Sequence, residues 1–342
     1  MEATTSAMPV TDILRTKSMQ ASLLWLEGFR EACCLHRVFI LCRRSRNLSI
    51  RTGQCFLLNG FIFLGSIFVM KSIVLPTLWW ILPEKCPVND DQQICLFGNI
   101  LKVYYFLRLG LVQLFYVCWF YPLYVLSFIL STMWYNDIAK YGFAAMDGSG
   151  LAAAKPSSQD NMFASPHTAK KERLFNLGSV MIGFGEQVYS ILLLTTFFLE
   201  VYAIGFMPYI GKSLRFLLLS WMYAYYCFEY KWNLSEVALD KRLDFFESNW
   251  AFFAGFGSPY AMPTLFFSPL VSSGMMGILF PLFVLTATSS GAENFISSKR
   301  RGPGGARLGR LPIFYAADTL SKRILYLLPL ESREQLPDDK TL

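Results

Sequence analysis

Long apolar runs alternate with short polar stretches along this chain. Six of the runs predict membrane segments, because a helix needs about 20 mostly apolar residues to cross the hydrocarbon core of a bilayer. The predicted segments cover residues 55–82, 103–133, 186–206, 214–228, 249–267 and 270–287. The pattern therefore predicts an all-α fold, a polytopic helical membrane protein with about six membrane segments.

The last two predicted segments contain residues that interrupt helices. Gly255, Gly257 and Pro259 lie in one apolar run, and Pro281 lies in the next. Proline lacks a backbone N–H and clashes with the preceding turn, so these runs are expected to form broken or hemi-penetrating hairpins. Ordinary spans that pack closely through small residues are the alternative interpretation, and the sequence leaves it open.

The first 54 residues form an amphipathic and basic region. Apolar residues recur at helical spacing between about 12 and 41, with charged residues between them. A basic run of Arg43, Arg44, Arg46 and Arg51 follows. The predicted helix either lies in the membrane interface or packs against the protein's own cytosolic face.

The distribution of Lys and Arg predicts the orientation in the membrane. Most of these residues lie in the N-terminal region, in a loop at 135–178, in a segment at 229–248 and in the tail. The positive-inside rule places those stretches, and with them both termini, in the cytosol. The predicted regions are a cytosolic N-terminal region (1–54), a transmembrane helical domain (55–290) that includes the cytosolic loop 135–178, and a cytosolic tail (291–342).

Several cysteines have two interpretations each. Cys86 and Cys95 flank a short polar loop on the predicted luminal side, where a disulfide can persist. Sequence spacing alone does not show whether their Cα atoms approach closely enough, so a bridge and two free thiols are both compatible with it. Cys33, Cys34 and Cys42 lie in the basic amphipathic region, where reversible acylation and simple packing are the alternatives.

Composition argues against a soluble enzyme. Of the 342 residues, 54% are hydrophobic and 16% are charged, whereas soluble domains carry roughly 25% charged residues. The net charge of +7 is spread over several loops, so no nucleic-acid partner is expected. The eight Cys and two His lack a zinc-binding spacing, and neither a nucleophile elbow nor a phosphate-binding loop occurs. We therefore expect a lipid bilayer as the surroundings, with no metal, no cofactor and no enzymatic activity.

Short blocks of Gly, Pro, aromatic and charged residues occur between about residues 54 and 287. The candidate structural or functional residues within them are Asn59, Gly60, Pro122, Trp134, Asp137, Glu229, Arg242, Glu247, Asn249, Trp250, Gly255, Gly257, Pro259 and Pro281. The most specific block joins Arg242 to Glu247, Asn249 and Trp250 and leads into Gly255. Together these blocks resemble the etoposide-induced transmembrane protein family, which is also described as autophagy-associated.

The resemblance implies a multi-pass protein of the endoplasmic reticulum membrane that acts in autophagy, where autophagosomes mature and fuse with degradative compartments. Growth regulation and apoptosis are also linked to the family. Its partners would be autophagy or membrane-fusion proteins that bind the cytosolic segments, and a homo-oligomer is compatible with this role. No catalytic residues come with the resemblance, so a non-enzymatic membrane scaffold is the leading interpretation.

A second interpretation comes from a more distant resemblance to the bacterial CysZ-type sulfate permeases. Those helical membrane proteins contain hemi-penetrating helices, which would suit the interrupted segments of this chain. The alternative function is therefore an anion channel or transporter that passes sulfate-like ions. The scaffold needs its cytosolic segments for function, whereas the transporter needs its membrane-buried ones.

The predicted orientation can be tested by protease protection on sealed microsomes. Because the Lys- and Arg-rich stretches are expected in the cytosol, protease added outside should remove tags at both termini and cleave within 135–178. The loop between Cys86 and Cys95 should stay protected until detergent is added. A shielded N-terminal tag would contradict the assignment of all the membrane segments.

Overall fold

The described part of the chain is built from helices. The computed structural model describes residues 10–81, 103–147, 169–296 and 308–327, apart from positions 104, 105, 108, 115 and 294. No strand occurs within these ranges, which confirms the all-α fold class. In chain order the α-helices are α1 (Val10–Ala32), α2 (Leu35–Arg44), α3 (Arg46–Phe56), α4 (Gly65–Val69), α5 (Leu75–Ile81), α6 (Tyr121–Asp147), α7 (Ala169–Ile204), α8 (Gly211–Leu234), α9 (Leu239–Ser248), α10 (Trp250–Ala261), α11 (Pro263–Phe266), α12 (Pro269–Ser289) and α13 (Tyr315–Leu327).

The chain divides into two compact units. The first comprises Met1–Lys155, Leu219–Val237 and Ala251–Leu308, and the second comprises Pro156–Leu218, Ala238–Trp250 and Gly309–Leu342. The first unit thus contains α1–α6, most of α8, nearly all of α10, and α11 and α12. The second unit contains α7, the start of α8, α9 and α13.

The first membrane helix contains two π-helical segments. α3 continues through the π-helical segment Leu57–Leu64 into α4, and through a second one, Met70–Val74, into α5. The helix begins at Arg46, because the Ser45 side chain caps it by accepting the Leu48 N–H at 3.3 Å. The predicted boundary at 54/55 therefore falls inside a continuous helix. π-helical turns are rare and often mark functional sites, so the first of them needs a structural explanation.

Among the described residues, three helical stretches are long and apolar enough to cross a membrane. They are Arg46–Thr77, Leu109–Met146 and Pro269–Ser289, and Val188–Ile204 is a shorter apolar stretch. Their outward faces carry large apolar side chains, among them Phe61, which is 80% exposed, and Phe68, which is 69% exposed. Rings at such exposure are stable against lipid tails and unfavourable against water. Together with the shorter apolar helices, these stretches confirm a polytopic helical membrane protein.

The fifth predicted segment is interrupted, as the sequence indicates. α10 has 12 residues, which makes it about 18 Å long, well short of the roughly 30 Å of a bilayer core. The short helix α11 follows, and α12 begins at Pro269. The sixth segment, α12, is one continuous helix of 21 residues despite Pro281. The break expected in both members of the pair is thus present only in the first.

Both ends of the predicted cytosolic loop 135–178 are helical. α6 continues to Asp147 and α7 begins at Ala169. Ile138 and Ala139 are fully buried on α6, so residues 135–147 belong to a packed helix. The core of the predicted loop, 148–168, and the pair Cys86 and Cys95 lie outside the described residues.

The N-terminal region also differs from expectation. Two helices, α1 and α2, replace the single predicted amphipathic helix, and the chain turns between them at Cys33 and Cys34. In the second unit, the described part of the tail packs against other helices. Its residue Phe314 is 1% exposed, and the Leu311 N–H donates to the Glu247 carbonyl at 3.2 Å.

Candidate functional site

Asn59 is the centre of a buried polar cluster in the first unit. It lies in the first π-helical segment, and its side chain is 5% exposed. Its amide nitrogen donates to the Ser131 hydroxyl at 2.9 Å and to the Cys55 carbonyl at 3.0 Å. Its amide oxygen accepts a hydrogen bond from the Ser127 hydroxyl at 2.8 Å. A polar side chain at membrane depth is costly unless it is paired in this way.

A glycine on α12 lets a third helix reach this cluster. A Cβ atom on Gly277 would lie 2.6 Å from the Asn59 amide oxygen, so any other residue there would force the hydrogen-bonded Asn59 side chain to move. Gly60, the residue after Asn59, faces the Ile278 side chain of α12. A Cβ atom on Gly60 would lie 3.3 Å from the Ile278 Cδ1 atom. The π-helical segment and α12 therefore approach each other closely, with a glycine of each element facing a side chain of the other.

Pro281 explains why Tyr135 belongs to the same cluster. Proline has no N–H, so Pro281 cannot donate to the Gly277 carbonyl four residues earlier. The Tyr135 hydroxyl on α6 donates to that carbonyl at 3.3 Å. In lipid, a freed backbone carbonyl needs such a partner. We call Asn59, Ser127, Ser131, Tyr135 and Gly277 the Asn59 junction.

Two glycines hold α10 against other helices on opposite sides. A Cβ atom on Gly255 would overlap the Trp25 carbonyl of α1, and one on Gly28 would overlap the Phe252 carbonyl of α10. A Cβ atom on Gly257 would overlap the Ser220 carbonyl of α8. These are backbone-to-backbone contacts, and only glycine permits them.

Aromatic side chains fill the space between the rest of α10 and its neighbouring helices. Phe253 and Phe256 contact Phe228 of α8, with ring centroids 5.2 and 4.9 Å apart. The Tyr260 hydroxyl donates to the Met276 carbonyl on α12 at 3.0 Å. Pro259, inside α10, has no N–H for the Gly255 carbonyl. The interrupted segment is thus a buried core helix.

Glu247 organises the second unit. Its carboxylate is buried at 5% exposure of the side chain and pairs with the Arg310 guanidinium at 2.7 Å. Its other oxygen accepts the Phe314 backbone N–H at 3.1 Å. This hydrogen bonding to Glu247 raises the pKa of Arg310, and Asp244 adds a second ion pair at 3.0 Å. We call this arrangement the Glu247 clasp.

The clasp places the tail against apolar helices. Phe314 packs between Phe246 on α9 and Phe197 on α7, at centroid distances of 5.6 and 4.9 Å. Further along, the Thr196 and Ser321 hydroxyls are 2.9 Å apart, which joins α7 to α13. The tail therefore forms part of the core of its unit.

The remaining candidate residues from the sequence lie outside the Asn59 junction, the α10 glycine contacts and the Glu247 clasp. Asp137 on α6 pairs with Arg51 at 3.4 Å, and the Asn249 amide donates to the Phe245 carbonyl at 2.6 Å. Glu229 and Arg242 are buried, at 5% and 7% exposure. Pro122 is exposed in the first turn of α6, Trp134 is half-buried and Trp250 begins α10.

Several residues of these sites were missed in the sequence. Ser127, Ser131 and Tyr135 follow one another at four-residue spacing, which puts them on one face of α6 and would have indicated a polar stripe. Gly28, Ser220 and Arg310 carry no such signal. Their importance comes from helices that are distant in the sequence.

These features define the class of the protein, an all-α polytopic membrane protein with a buried neutral junction and an interrupted core helix. A family profile described as "Sulfate transporter CysZ/Etoposide-induced protein 2.4" matches residues 34–281. The chain therefore belongs to this family.

Individual relatives agree with this assignment. The chain is 63% identical over 319 residues to "Protein EI24 homolog" of Arabidopsis thaliana, covering 93% of this chain and 99% of the relative. It is 26% identical over 306 residues to "Protein EI24 homolog" of Dictyostelium discoideum, covering 89% and 84%. "Ectopic P granules protein 4" of Caenorhabditis elegans is 33% identical over 81 residues, covering 23% of this chain and 26% of the relative. No solved structure matches the chain with statistical support.

Replacing Asn59 with Leu should destabilise the junction moderately. The freed Ser127 and Ser131 hydroxyls can turn to carbonyls of their own helix, so the expected loss is about 1 kcal/mol, typical of hydrogen bonds between membrane helices. Ser127→Ala and Ser131→Ala, added to Asn59→Leu, should cost little more than Asn59→Leu alone. Chemical unfolding of the protein in detergent micelles measures these free energies.

A matched control for the junction is Thr132→Ala on the same helix. The Thr132 hydroxyl donates only to the Phe128 carbonyl of α6, at 2.8 Å. Its removal should leave the free energy of unfolding nearly unchanged. Fully additive effects of the Asn59, Ser127 and Ser131 substitutions would contradict a coupled junction.

Gly257→Ala should destabilise the protein strongly, although it adds one methyl group. The methyl group would occupy the position of the Ser220 carbonyl, so α8 and α10 must separate. We expect a loss of about 2 kcal/mol or more, in the range of overpacked cores. Gly65→Ala is the matched control, since nothing lies within 4 Å of its added Cβ. That variant should be neutral or more stable by up to about 1 kcal/mol.

Thermal unfolding in detergent and steady-state abundance in membranes compare the two glycine variants. Equal stability of Gly257→Ala and Gly65→Ala would show that α8 and α10 do not touch through their backbones.

Proposed function

We propose that the protein is a non-enzymatic, multi-pass scaffold of the endoplasmic reticulum membrane that acts in autophagy, during autophagosome maturation and degradation. Membership of the family supports the proposal, because the resemblance noted in the sequence blocks implies this compartment and this process. Both termini face the cytosol in the proposed orientation. Partners would be autophagy or membrane-fusion proteins, and self-association into a homo-oligomer is compatible with the role.

One observation favours a scaffold over a moving transporter. α10 is the interrupted helix, the element that a transporter would use as a gate. It is held on opposite sides by backbone contacts at Gly255 and Gly257. Its residues 251–258 are all buried. A helix so enclosed can shift only if the packed core around it opens, which is costly because protein interiors are close-packed.

Parts of the second unit offer surfaces for partners. On α13, Tyr315 is 70% exposed, Tyr326 is 91% exposed and Leu327 is 78% exposed. Aromatic side chains are enriched in protein interfaces. The Glu247 clasp fixes the residues that precede α13, so these side chains are presented on an ordered element rather than on a free tail.

A second function, anion transport, is favoured by two observations. The matching family profile names a sulfate transporter, and the Asn59 junction places amide and hydroxyl groups inside an apolar span. A π-helical segment at the same place is a feature often found at ligand sites.

Two measurements separate these functions. Cells that lack the protein should accumulate undegraded autophagic cargo, and full-length protein should restore turnover. Purified protein in liposomes should give no sulfate or chloride flux above that of protein-free liposomes. Normal turnover of autophagic cargo in cells that lack the protein would contradict the proposed scaffold function.

Saturable sulfate flux that is lost in Asn59→Leu would assign the protein to the transporters instead. Gly65→Ala serves as the control in both assays, because its substitution site is open. It should restore cargo turnover to the wild-type level.

A further inference from the structure

A basic cleft opens at the start of the first membrane helix. It has a volume of about 760 Å³ and is lined by Arg44, Ser45, Arg46 and Asn47 from the α2–α3 junction, and by Tyr141, Ala144 and Ala145 from α6. This volume is in the range of sites for small organic ligands, about 300–1,000 Å³. The cleft belongs entirely to the first unit.

Among the described side chains, no carboxylate pairs with the two arginines of the cleft. Among the described residues, Arg37 pairs with Glu31 and Arg51 pairs with Asp137. Within the same part of the chain, no carboxylate lies within 4.0 Å of the Arg44 or Arg46 guanidinium. Two guanidinium groups at one opening attract an anion, and their planar donor geometry suits phosphate oxygens.

The depth of the cleft points to a lipid as the source of that anion. Arg46 is the first residue of a helical stretch that is long and apolar enough to cross a membrane, and a span that begins there brings the cleft close to the lipid headgroups. On α2, Phe39 and Ile40 are 64% and 49% exposed, which provides an apolar surface for acyl chains beside the arginines. Arg43 lies over the Phe39 ring at 5.8 Å rather than lining the cleft.

We propose that this cleft binds the phosphate monoester of a phosphorylated phospholipid headgroup, with Arg44 and Arg46 as the anion ligands and Tyr141 and Asn47 as further hydrogen-bonding groups. A monoester carries close to two negative charges at neutral pH and offers three oxygens, which matches two guanidinium groups. The site is independent of the scaffold function proposed above. Binding at this site would favour membrane regions that contain phosphorylated phospholipids.

The test uses full-length protein in detergent micelles and fluorescently labelled phosphatidylinositol 4-phosphate, with binding measured by fluorescence polarisation. Arg44→Gln combined with Arg46→Gln should weaken binding by about tenfold or more, as expected for the loss of two charge-assisted contacts. The matched control is Arg15→Gln combined with Arg43→Gln. It removes the same charge from exposed positions of α1 and α2 that do not line the cleft, and it should change affinity less than about twofold.

A second variant tests the site independently, in case the double arginine substitution prevents folding. Ala144 is an exposed helical residue at the cleft, so Ala144→Glu should fold normally while its charge repels the phosphate. It should weaken binding to a similar extent. Wild-type affinity in Ala144→Glu, or equal losses in the two arginine pairs, would overturn the site.

Competition identifies the source of the phosphate. Unlabelled phosphatidylinositol 4-phosphate should displace the probe at far lower concentration than phosphatidylinositol, which lacks the monoester. Inorganic phosphate or sulfate that competes as well as the lipid would overturn the lipid assignment in favour of a free anion. Equal competition by phosphatidylinositol would overturn recognition of the monoester altogether.

Discussion

The close approach of α10 to its neighbours is the constraint on which the first unit depends. At Gly255 and Gly257 the α10 backbone touches those of α1 and α8, with no side chain between them. Helices that approach so closely gain dispersion contacts along both backbones, which is the main attraction available inside a membrane. The aromatic rings around Phe228 can then fill the remaining space. A short helix that cannot span a bilayer is stable here because the protein, not lipid, surrounds it.

Two of the prolines in these membrane segments, Pro281 and Pro263, have different consequences. Pro281 leaves α12 continuous, since Tyr135 supplies a hydrogen bond to the carbonyl that the proline cannot reach. Pro263 begins a new short helix, and its own carbonyl accepts the Ser272 hydroxyl at 2.9 Å. At Pro281 a side-chain hydroxyl takes the place of the missing backbone donor, whereas the Pro263 carbonyl also accepts the Phe267 N–H at 3.1 Å, so the Ser272 hydroxyl is an additional donor there.

Much of the fold was predictable from the sequence, and the failures have physical causes. The apolar runs identified the membrane helices, and Gly257 was singled out because a glycine in an apolar run indicates close contact. The sequence could not identify Ser220 as the residue it contacts, because that contact is set by the tertiary arrangement of helices. Residues 135–147 were assigned to a cytosolic loop from their polar composition. They form the end of α6, where Ile138 and Ala139 give the helix a buried face.

The distribution of charge separates the interior of the protein from its ends. At the Asn59 junction every group is neutral, and the amide and hydroxyl groups bond to one another. The Lys231–Glu293 ion pair and the Glu247 clasp lie near helix ends and in the tail. This arrangement follows from the cost of placing charge at membrane depth. A dianion that crossed at the junction would need positive charge that the junction does not contain, and it would have to break bonds already made. The charged ends have groups available for lipids and proteins, so the chemistry favours function at the membrane surface over passage through its centre.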